Sequence, residues 1–360
     1  MKTLRVSAAV VKILLGMLFL VSAVSKFITI DTFEMYVYSF GIFPLTVSFY
    51  VARLVIGLEL VLGAALISHR YHRFTILTTL LFLLCFIVFL AYAHLVGRSD
   101  SCHCFGDLMP LDPIQSILKN AILILLLVFT FFYAPQQWAP RWWLVSIVYL
   151  LTAGGLTLYM VEARHLLHLL SLVMLLVTLA VGVLASTALY SKWYVALLLA
   201  LTPVVTTFIL TPPDNWLFTE SDERFDKQLF QSNVPTIESA SLKPLQLDEG
   251  RHIVAFFSPN CKYCRLAAGK LTTLVKRYDI DTSRIVYVFP VVADSSSYGR
   301  FYAESRSDHF AEAFIDKELF IRITRAAFPL VVLVDEGNIA ASFAYRNINE
   351  NTIKSFMSEQ

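Results

Sequence analysis

The chain has 360 residues, of which 57% are apolar and 16% charged, and its mean hydropathy is +0.65. This composition excludes an ordinary soluble protein and indicates that much of the chain lies in lipid. The net charge of +2 and the pI near 8.2 are weakly basic, with no basic stripe along the sequence, which argues against a nucleic-acid partner.

Seven apolar runs are long enough to cross a hydrocarbon core of about 30 Å, which takes about 20 helical residues. They lie near 6–29, 45–67, 74–96, 114–133, 142–161, 166–189 and 193–211. The first run follows Lys2 and Arg5, so a cleavable signal peptide is one reading. Its length and its closing Ser25-Lys26-Phe27 favour a retained helix instead.

Lysines and arginines of the short loops concentrate on one side of these predicted spans. If the N-terminus is cytoplasmic, that side receives Lys2, Arg5, Arg70, Arg73, Arg141 and Lys192. The opposite short loops hold little beyond Arg98 and Arg164. Because positive short loops stay in the cytoplasm, the sequence predicts a multi-pass protein of the cytoplasmic (inner) membrane. The loop 97–113 and everything after Pro212 then face the outer, periplasmic side.

The sequence becomes polar after Pro212-Pro213 and predicts a second, α/β domain over 213–360. Its expected elements are strand 252–257, helix 261–278, strand 284–291, a Ser-rich loop, helix 308–325, strands 330–335 and 339–345, and helix 350–358. This order predicts a small sheet covered by helices.

A Cys-x-x-Cys motif, Cys261-Lys262-Tyr263-Cys264, follows the first of these strands and opens a helix. Unpaired N–H groups and the positive end of the helix dipole stabilise a thiolate at this place. Cys261 is therefore the predicted nucleophile and Cys264 the resolving thiol. Half of a zinc site is the alternative, but no second Cys-x-x-Cys or histidine pair follows in this domain.

These residues, with Phe328-Pro329 before the apolar run LVVLVD, resemble the thioredoxin superfamily and its membrane-tethered TlpA-type members over about 235–360. The resemblance implies that Pro329 is a cis proline and that Phe328 lies on the substrate side of the sulfurs. Asn260 stands where the family has tryptophan. Phe328 stands where members often have threonine or valine.

A second cysteine pair, Cys102-His103-Cys104, lies in the predicted loop between the third and fourth spans. Thiols one residue apart close only a small, strained ring, which makes a disulfide easy to reduce or exchange. A redox relay is the favoured interpretation. A metal site that includes His103 and His94, and a structural loop disulfide, are the alternatives.

Several short motifs in the first 135 residues resemble the DoxX/MauE-type family, which is a four-helix membrane unit. They are Gly16, Ser25-Lys26-Phe27, Phe40-Gly41-x-x-Pro44, Gly57-x-Glu59-x-x-x-Gly63 and Cys102-x-Cys104-Phe105-Gly106. The resemblance implies disulfide formation in exported proteins or electron transfer to quinone. His103 replaces the usual glycine. The three predicted helices of 136–212 resemble no known pattern.

Charged residues inside predicted spans are costly and usually face the interior of a helix bundle. Arg53 and Glu59 share one predicted helix, and Lys26 closes the previous one. One interpretation is a common cavity that forms a quinone or proton site beneath the Cys102/Cys104 loop, with His94 and His103 nearby. The other is a structural charge pair that locks the bundle.

Together these features predict a membrane-bound thiol–disulfide oxidoreductase. In the favoured, oxidising direction, thiols of exported cysteine-containing proteins would reduce the Cys261–Cys264 disulfide, Cys102 and Cys104 would reoxidise it, and a quinone would accept the electrons. In the reducing direction the flow reverses and requires an internal electron donor. Fusion of two dithiols in one compartment favours this exchange by effective concentration. The alternatives are a transport or assembly factor with a thioredoxin-like substrate-binding domain and a metal-handling membrane protein.

Overall fold

The computed structural model of the chain contains two compact units. One comprises Met1–Tyr36 and Phe49–Pro212, and the other comprises Val37–Ser48 and Pro213–Gln360. The residues that the structure describes are 2–68, 72–96, 112–134, 204–205, 207–208, 211, 213–218, 224–234, 247–292, 294, 296–307 and 310–358.

Long apolar helices make up the N-terminal region. The helices are α1 (Lys2–Ile28), α2 (Ile30–Tyr38), α3 (Leu45–Ser68), α4 (His72–Leu95) and α5 (Pro113–Tyr133). Among the described residues, four segments are long and apolar enough to cross a membrane: Thr3–Ile28, Leu45–Ile67, His72–Leu95 and Pro113–Tyr133. The first four predicted spans are thereby confirmed. The predicted spans 142–161 and 166–189, and most of 193–211, lie outside the described residues.

Two glycines allow α1 and α3 to approach closely. A Cβ atom at Gly16 would lie 2.8 Å from the carbonyl oxygen of Gly63, and one at Gly63 would lie 2.9 Å from the carbonyl oxygen of Gly16. Small residues at such crossings let helix backbones pack directly in a membrane, where no hydrophobic driving force joins them. Glu59 lies one turn from Gly63, so this crossing also sets the distance between Glu59 and α1.

A five-stranded mixed sheet organises the C-terminal unit. The strands are β1 (Arg251–Phe256), β2 (Ile285–Pro290), β3 (Ala311–Ile315), β4 (Leu330–Asp335) and β5 (Asn338–Phe343), in the spatial order β3-β2-β1-β4-β5. The helices are α6 (Asp214–Leu217), α7 (Lys227–Asn233), α8 (Lys262–Tyr278), α9 (Ser296–Ser305), α10 (Lys317–Thr324) and α11 (Glu350–Ser358). β1 runs parallel to β2 and antiparallel to β4. It is therefore the central strand.

Both faces of this sheet are buried, as the alternation of side chains along β1 shows. Ile253 and Ala255 join one apolar cluster with the buried face of α8. Val254 and Phe256 join another with Phe230 of α7 and residues of α10. Because β1 is covered on both sides, its C-terminal end is held in place, and the turn that leads into α8 begins there.

One predicted element of this unit is wrong. The sequence predicts a Ser-rich loop before a single helix at 308–325, whereas the chain forms α9, then the edge strand β3, then α10. The run Ala311–Ile315 contains alanine, glutamate and phenylalanine, which suit a helix as well as a strand. Pairing with β2 makes it a strand. Asp316 caps α10 by accepting from the N–H of Glu318 at 2.7 Å.

We expect Gly63→Ala to destabilise the helical region by about 1–3 kcal/mol, because the added methyl group forces α1 and α3 apart. The measurement is the thermal transition of the full-length protein in detergent. Gly299→Ala is the matched control, since it is the same substitution in a helix with no atom within 4 Å of the new Cβ. The close crossing would be disproved if both variants melted like the parent protein.

Candidate active site

Cys261 is the N-cap residue of α8, directly after the turn that leaves β1. Its sulfur accepts a hydrogen bond from the backbone N–H of Cys264 at 3.3 Å. The Cys264 sulfur accepts one from the N–H of Ser258 at 3.4 Å. Cys261 is partly exposed, Cys264 is fully buried, and both thiols are free. The arrangement gives one accessible sulfur with a second sulfur behind it.

The two thiols have opposite acidities. A hydrogen bond from the Cys264 thiol, helped by the backbone N–H groups of Cys264 and Tyr263 and by the charge of Arg265, lowers the pKa of Cys261 to about 6. Burial raises the pKa of Cys264 well above its usual value. Because the thiolate is the nucleophile, Cys261 is the reactive sulfur near neutral pH, and Cys264 stays protonated until Cys261 is consumed.

The loop before β4 completes the site. The Phe328–Pro329 peptide bond is cis, as the thioredoxin resemblance implies. The carbonyl oxygen of Phe328 lies 4.0 Å from the Cys261 sulfur, within reach of the thiol as a donor. Pairing of Phe256 with Leu330 brings this loop to the end of β1. The ring of Phe328 packs on Phe320 at 5.8 Å between ring centroids, so it is held by the core.

Sequence reasoning missed a buried lysine on the catalytic helix. Lys270 of α8 is 1% exposed, donates to the carbonyl oxygen of Tyr345 at 3.1 Å and lies 4.0 Å from the centre of the Tyr345 ring. That ring lies 5.4 Å from the ring of Tyr263, inside the Cys-x-x-Cys motif. Asp214 lies 4.0 Å from Lys270 and 2.8 Å from Arg346, so one carboxylate faces two cations. A lysine within the apolar stripe of an amphipathic helix was the available signal.

Two of the charges predicted inside the spans lie together. The ammonium group of Lys26 lies 2.9 Å from both carboxylate oxygens of Glu59 and donates to Ser22 at 2.6 Å. Ser22 also donates to Glu59 at 3.2 Å. Lys26 and Glu59 are both buried. This is the ion pair between α1 and α3 that the glycine crossing permits.

The other predicted residues do not join that pair. Arg53 donates to Glu34 and to the carbonyl oxygens of Phe49 and Thr211, so it belongs to a separate buried cluster. The expected common cavity of Arg53 and Glu59 is therefore wrong. His94 is exposed at the end of α4. The remaining predicted residues, Cys102, His103 and Cys104, lie outside the described residues.

Comparison with known proteins separates the chain into two parts. A family model described as methylamine utilisation protein MauE matches residues 4–133. The N-terminal part of this chain is a MauE-type membrane domain. The resemblance found in the sequence is thereby confirmed, and the MauE-type domain accounts for helices α1 to α5.

A curated relative extends across most of both proteins. The chain is 29% identical to Protein TlpB of Flavobacterium psychrophilum over 291 residues, which cover 78% of this chain and 75% of that protein. A redox-type Cys-x-x-Cys, a cis proline beside it and the sheet order of the C-terminal unit describe a thioredoxin-like fold. The chain is therefore similar to Protein TlpB over most of its length, with a MauE-type membrane domain followed by a thioredoxin-like fold.

Two solved structures are similar to the chain. One is the thioredoxin domain of a thiol-disulfide oxidoreductase from Bacteroides vulgatus, with 18% identity, a TM-score of 0.28 and coverage of 34% of this chain and 92% of that chain. The other is a secreted disulfide oxidoreductase of Mycobacterium tuberculosis, with 14% identity, a TM-score of 0.27 and coverage of 38% of this chain and 100% of that chain.

We expect the alkylation rate of Cys261 in the reduced protein to rise with an inflection near pH 6, because the rate follows the thiolate fraction. Cys264 should remain unmodified at neutral pH. Trypsin cleaves after Lys262 and so separates the two cysteines into different peptides, which mass spectrometry quantifies individually.

Cys264→Ala is the control for this profile, because it removes the side-chain donor while leaving the backbone donors in place. In this variant, the pH at which the alkylation rate of Cys261 has its inflection should be higher than in the parent protein. An inflection near the ordinary cysteine value of about 8.5 in the parent would contradict the thiolate geometry.

Proposed function

We propose that this protein is an extracytoplasmic thiol–disulfide oxidoreductase that oxidises the thiols of exported proteins. The observation that carries the proposal is the geometry of one site, where a partly exposed Cys261 of lowered pKa stands in front of a fully buried Cys264. A domain that only binds substrate does not need this division between an acidic and a protected thiol. Thiol–disulfide exchange does need it.

The oxidising direction proceeds by two exchanges at the Cys261–Cys264 disulfide. A substrate thiolate attacks the Cys261 sulfur, the disulfide breaks, and Cys264 leaves as a thiolate that takes up a proton. A second substrate thiolate then attacks the substrate sulfur of the mixed disulfide and releases the Cys261 thiolate. The substrate loses two electrons and becomes a disulfide, and the protein becomes a dithiol. The lowered pKa of Cys261 supports this direction, because it stabilises the reduced form and makes Cys261 a good leaving group.

Reoxidation of this dithiol is assigned to Cys102 and Cys104. In this proposal the Cys261 thiolate attacks their disulfide, and Cys264 resolves the mixed bond. Support comes from the positive-inside bias of the sequence, which puts both pairs on the periplasmic face of the inner membrane with the N-terminus inside. Two tethered dithiols in one compartment reach effective concentrations of about a millimolar.

A quinone is the proposed terminal acceptor, and the Lys26–Glu59 pair is its proposed quinone or proton site. The support is that ionisable residues buried within membrane spans usually mark such functional sites. Arg53 has a structural role in this proposal because its partners are Glu34 and backbone carbonyl groups. His94 and His103 are predicted from the sequence alone to belong to the same quinone or proton site, near the Cys102/Cys104 loop.

We expect the full-length Cys264→Ser variant to accumulate a mixed disulfide between Cys261 and Cys102 or Cys104, because the resolving thiol is missing. Mass spectrometry of the alkylated, non-reduced protein identifies the bond. Cys261→Ser, which keeps the buried thiol, is the matched control and should form no such bond. If trapping yields no bond between the pairs, the relay between the two domains is ruled out.

The effect of removing both active-site cysteines in cells distinguishes an enzyme from a transport or assembly factor. Replacement of both Cys261 and Cys264 by alanine should abolish disulfide formation in exported proteins, since no exchange can start. A transport or assembly factor that merely uses the domain to bind substrate would retain its function in this variant. The readout is the thiol content of exported proteins after trapping with an alkylating reagent.

A further inference from the structure

The turn that follows β5 carries a buried tyrosine to the helix that bears the cysteines. Tyr345 is 3% exposed and belongs to the apolar cluster that contains Cys264 and the buried face of α8. Phe343, two residues earlier, pairs with Val331 of β4. The sheet therefore fixes the start of this turn, and the apolar cluster fixes the ring of Tyr345.

Two residues on one face of α8 contact Tyr345. Tyr263 and Lys270 are separated by two helical turns, which places them on the same side of the helix. The ring of Tyr263 lies 5.4 Å from the ring of Tyr345, at an interplanar angle of 42°. The ammonium group of Lys270 lies 4.0 Å from the centre of the Tyr345 ring. Because helical side chains lean toward the N-terminus, the long lysine side chain can reach back to Tyr345.

Lys270 holds Tyr345 at two points. Its ammonium group donates to the Tyr345 carbonyl oxygen at 3.1 Å and also lies over the Tyr345 ring. The attraction between a cation and an aromatic face is stronger when both are removed from water, and Lys270 is 1% exposed. Both the backbone and the ring of Tyr345 are thereby tied to α8.

The first turn of α8 supplies the N–H groups that stabilise the Cys261 sulfur. These groups have no acceptor within the helix, so they are free to serve the N-cap sulfur. The N–H groups of Tyr263 and Cys264 both do so, that of Cys264 at 3.3 Å. Terminal turns of helices fray easily. Cys264 is anchored by its full burial, whereas Tyr263 is 42% exposed, so the contact of Tyr263 with Tyr345 ties the exposed side of this turn to the core.

We propose that Tyr345 is a positioning residue of the thiol site, whose ring, held by Lys270, fixes Tyr263 and keeps the first-turn N–H groups on the Cys261 sulfur. The inference rests on the proposed function, to which it adds a residue that acts through Tyr263. Without the Tyr345 ring, the first turn of α8 gains freedom and its N–H groups spend less time on the sulfur. The Cys261 thiolate then loses part of its stabilisation.

The test is the pH profile of Cys261 alkylation in full-length variants of Tyr345. The parent inflection is expected near pH 6, and Tyr345→Leu should raise it by about one pH unit. Tyr345→Phe keeps the ring and should titrate like the parent protein. Tyr278→Leu is the matched control, because it makes the same substitution in a partly buried tyrosine at the C-terminal end of α8. Its inflection should equal that of the parent.

Lys270→Met separates positioning from folding. Methionine fills similar space but neither donates to Tyr345 nor carries a charge, and Asp214 keeps Arg346 as a partner at 2.8 Å. Replacement of a buried ion by an apolar side chain is often neutral or stabilising. The variant should therefore melt no lower than the parent protein, while its Cys261 inflection should be higher. An unchanged inflection in Tyr345→Leu or in Lys270→Met would overturn the proposal, and Lys270→Met alone decides if Tyr345→Leu does not fold.

The redox equilibrium with glutathione provides a second readout. An inflection one unit higher means a less stable thiolate and therefore a less stable reduced form. At pH 7 the equilibrium of Tyr345→Leu should move about fivefold toward the Cys261–Cys264 disulfide. Tyr345→Phe and Tyr278→Leu should keep the equilibrium constant of the parent protein. A parent-like equilibrium constant in Tyr345→Leu would contradict the proposed role.

Oxidation of a dithiol peptide by the disulfide form of the parent protein distinguishes failure of the positioning role from failure of the proposed function. If the parent oxidises the peptide and the variants titrate like the parent, only the positioning role of Tyr345 falls. If the variants shift as expected and the parent does not oxidise the peptide, the oxidising function falls and the positioning role stands.

Discussion

The stabilised sulfur of Cys261 depends on where one helix begins. The N–H of Cys264 reaches that sulfur only because α8 starts directly after Cys261, and α8 can start there only because β1 ends in a fixed position. β1 in turn is fixed by neighbours on both sides and by apolar clusters on both faces. The position of the central strand β1 therefore determines whether the Cys261 sulfur receives its stabilising hydrogen bond.

Lys26 in the membrane domain and Lys270 in the C-terminal domain are both buried, and their surroundings differ. Lys270 interacts with the ring and carbonyl oxygen of Tyr345 and with Asp214, which together occupy it within a packed core. Lys26 is paired with Glu59 beside a small cavity that Lys119 and Asn120 also line. Buried charges are stable only with partners. In both clusters a buried carboxylate, that of Asp214 or of Glu59, faces the lysine.

Periodicity and local motifs allowed much of this architecture to be predicted. Long apolar runs indicate membrane spans, so the helices α1, α3, α4 and α5 were predicted within a few residues of their bounds. The Cys-x-x-Cys motif after an apolar strand placed Cys261 at a helix start before any geometry was known. The segment 296–315 was predicted wrongly because its residues suit helix and strand alike, and pairing with β2 decided the outcome.

The sequence by itself determined that this is a membrane protein with a Cys-x-x-Cys pair at a helix start in an α/β domain, because hydropathy, strand-to-helix order and cysteine spacing are local properties. Only the tertiary structure decided which charged residues meet. One interpretation of the sequence put Arg53 and Glu59 in a common cavity, yet Arg53 pairs with Glu34, while Glu59 pairs with Lys26. Such partners come from different helices, and their meeting depends on how those helices cross, which residue spacing along one helix does not encode.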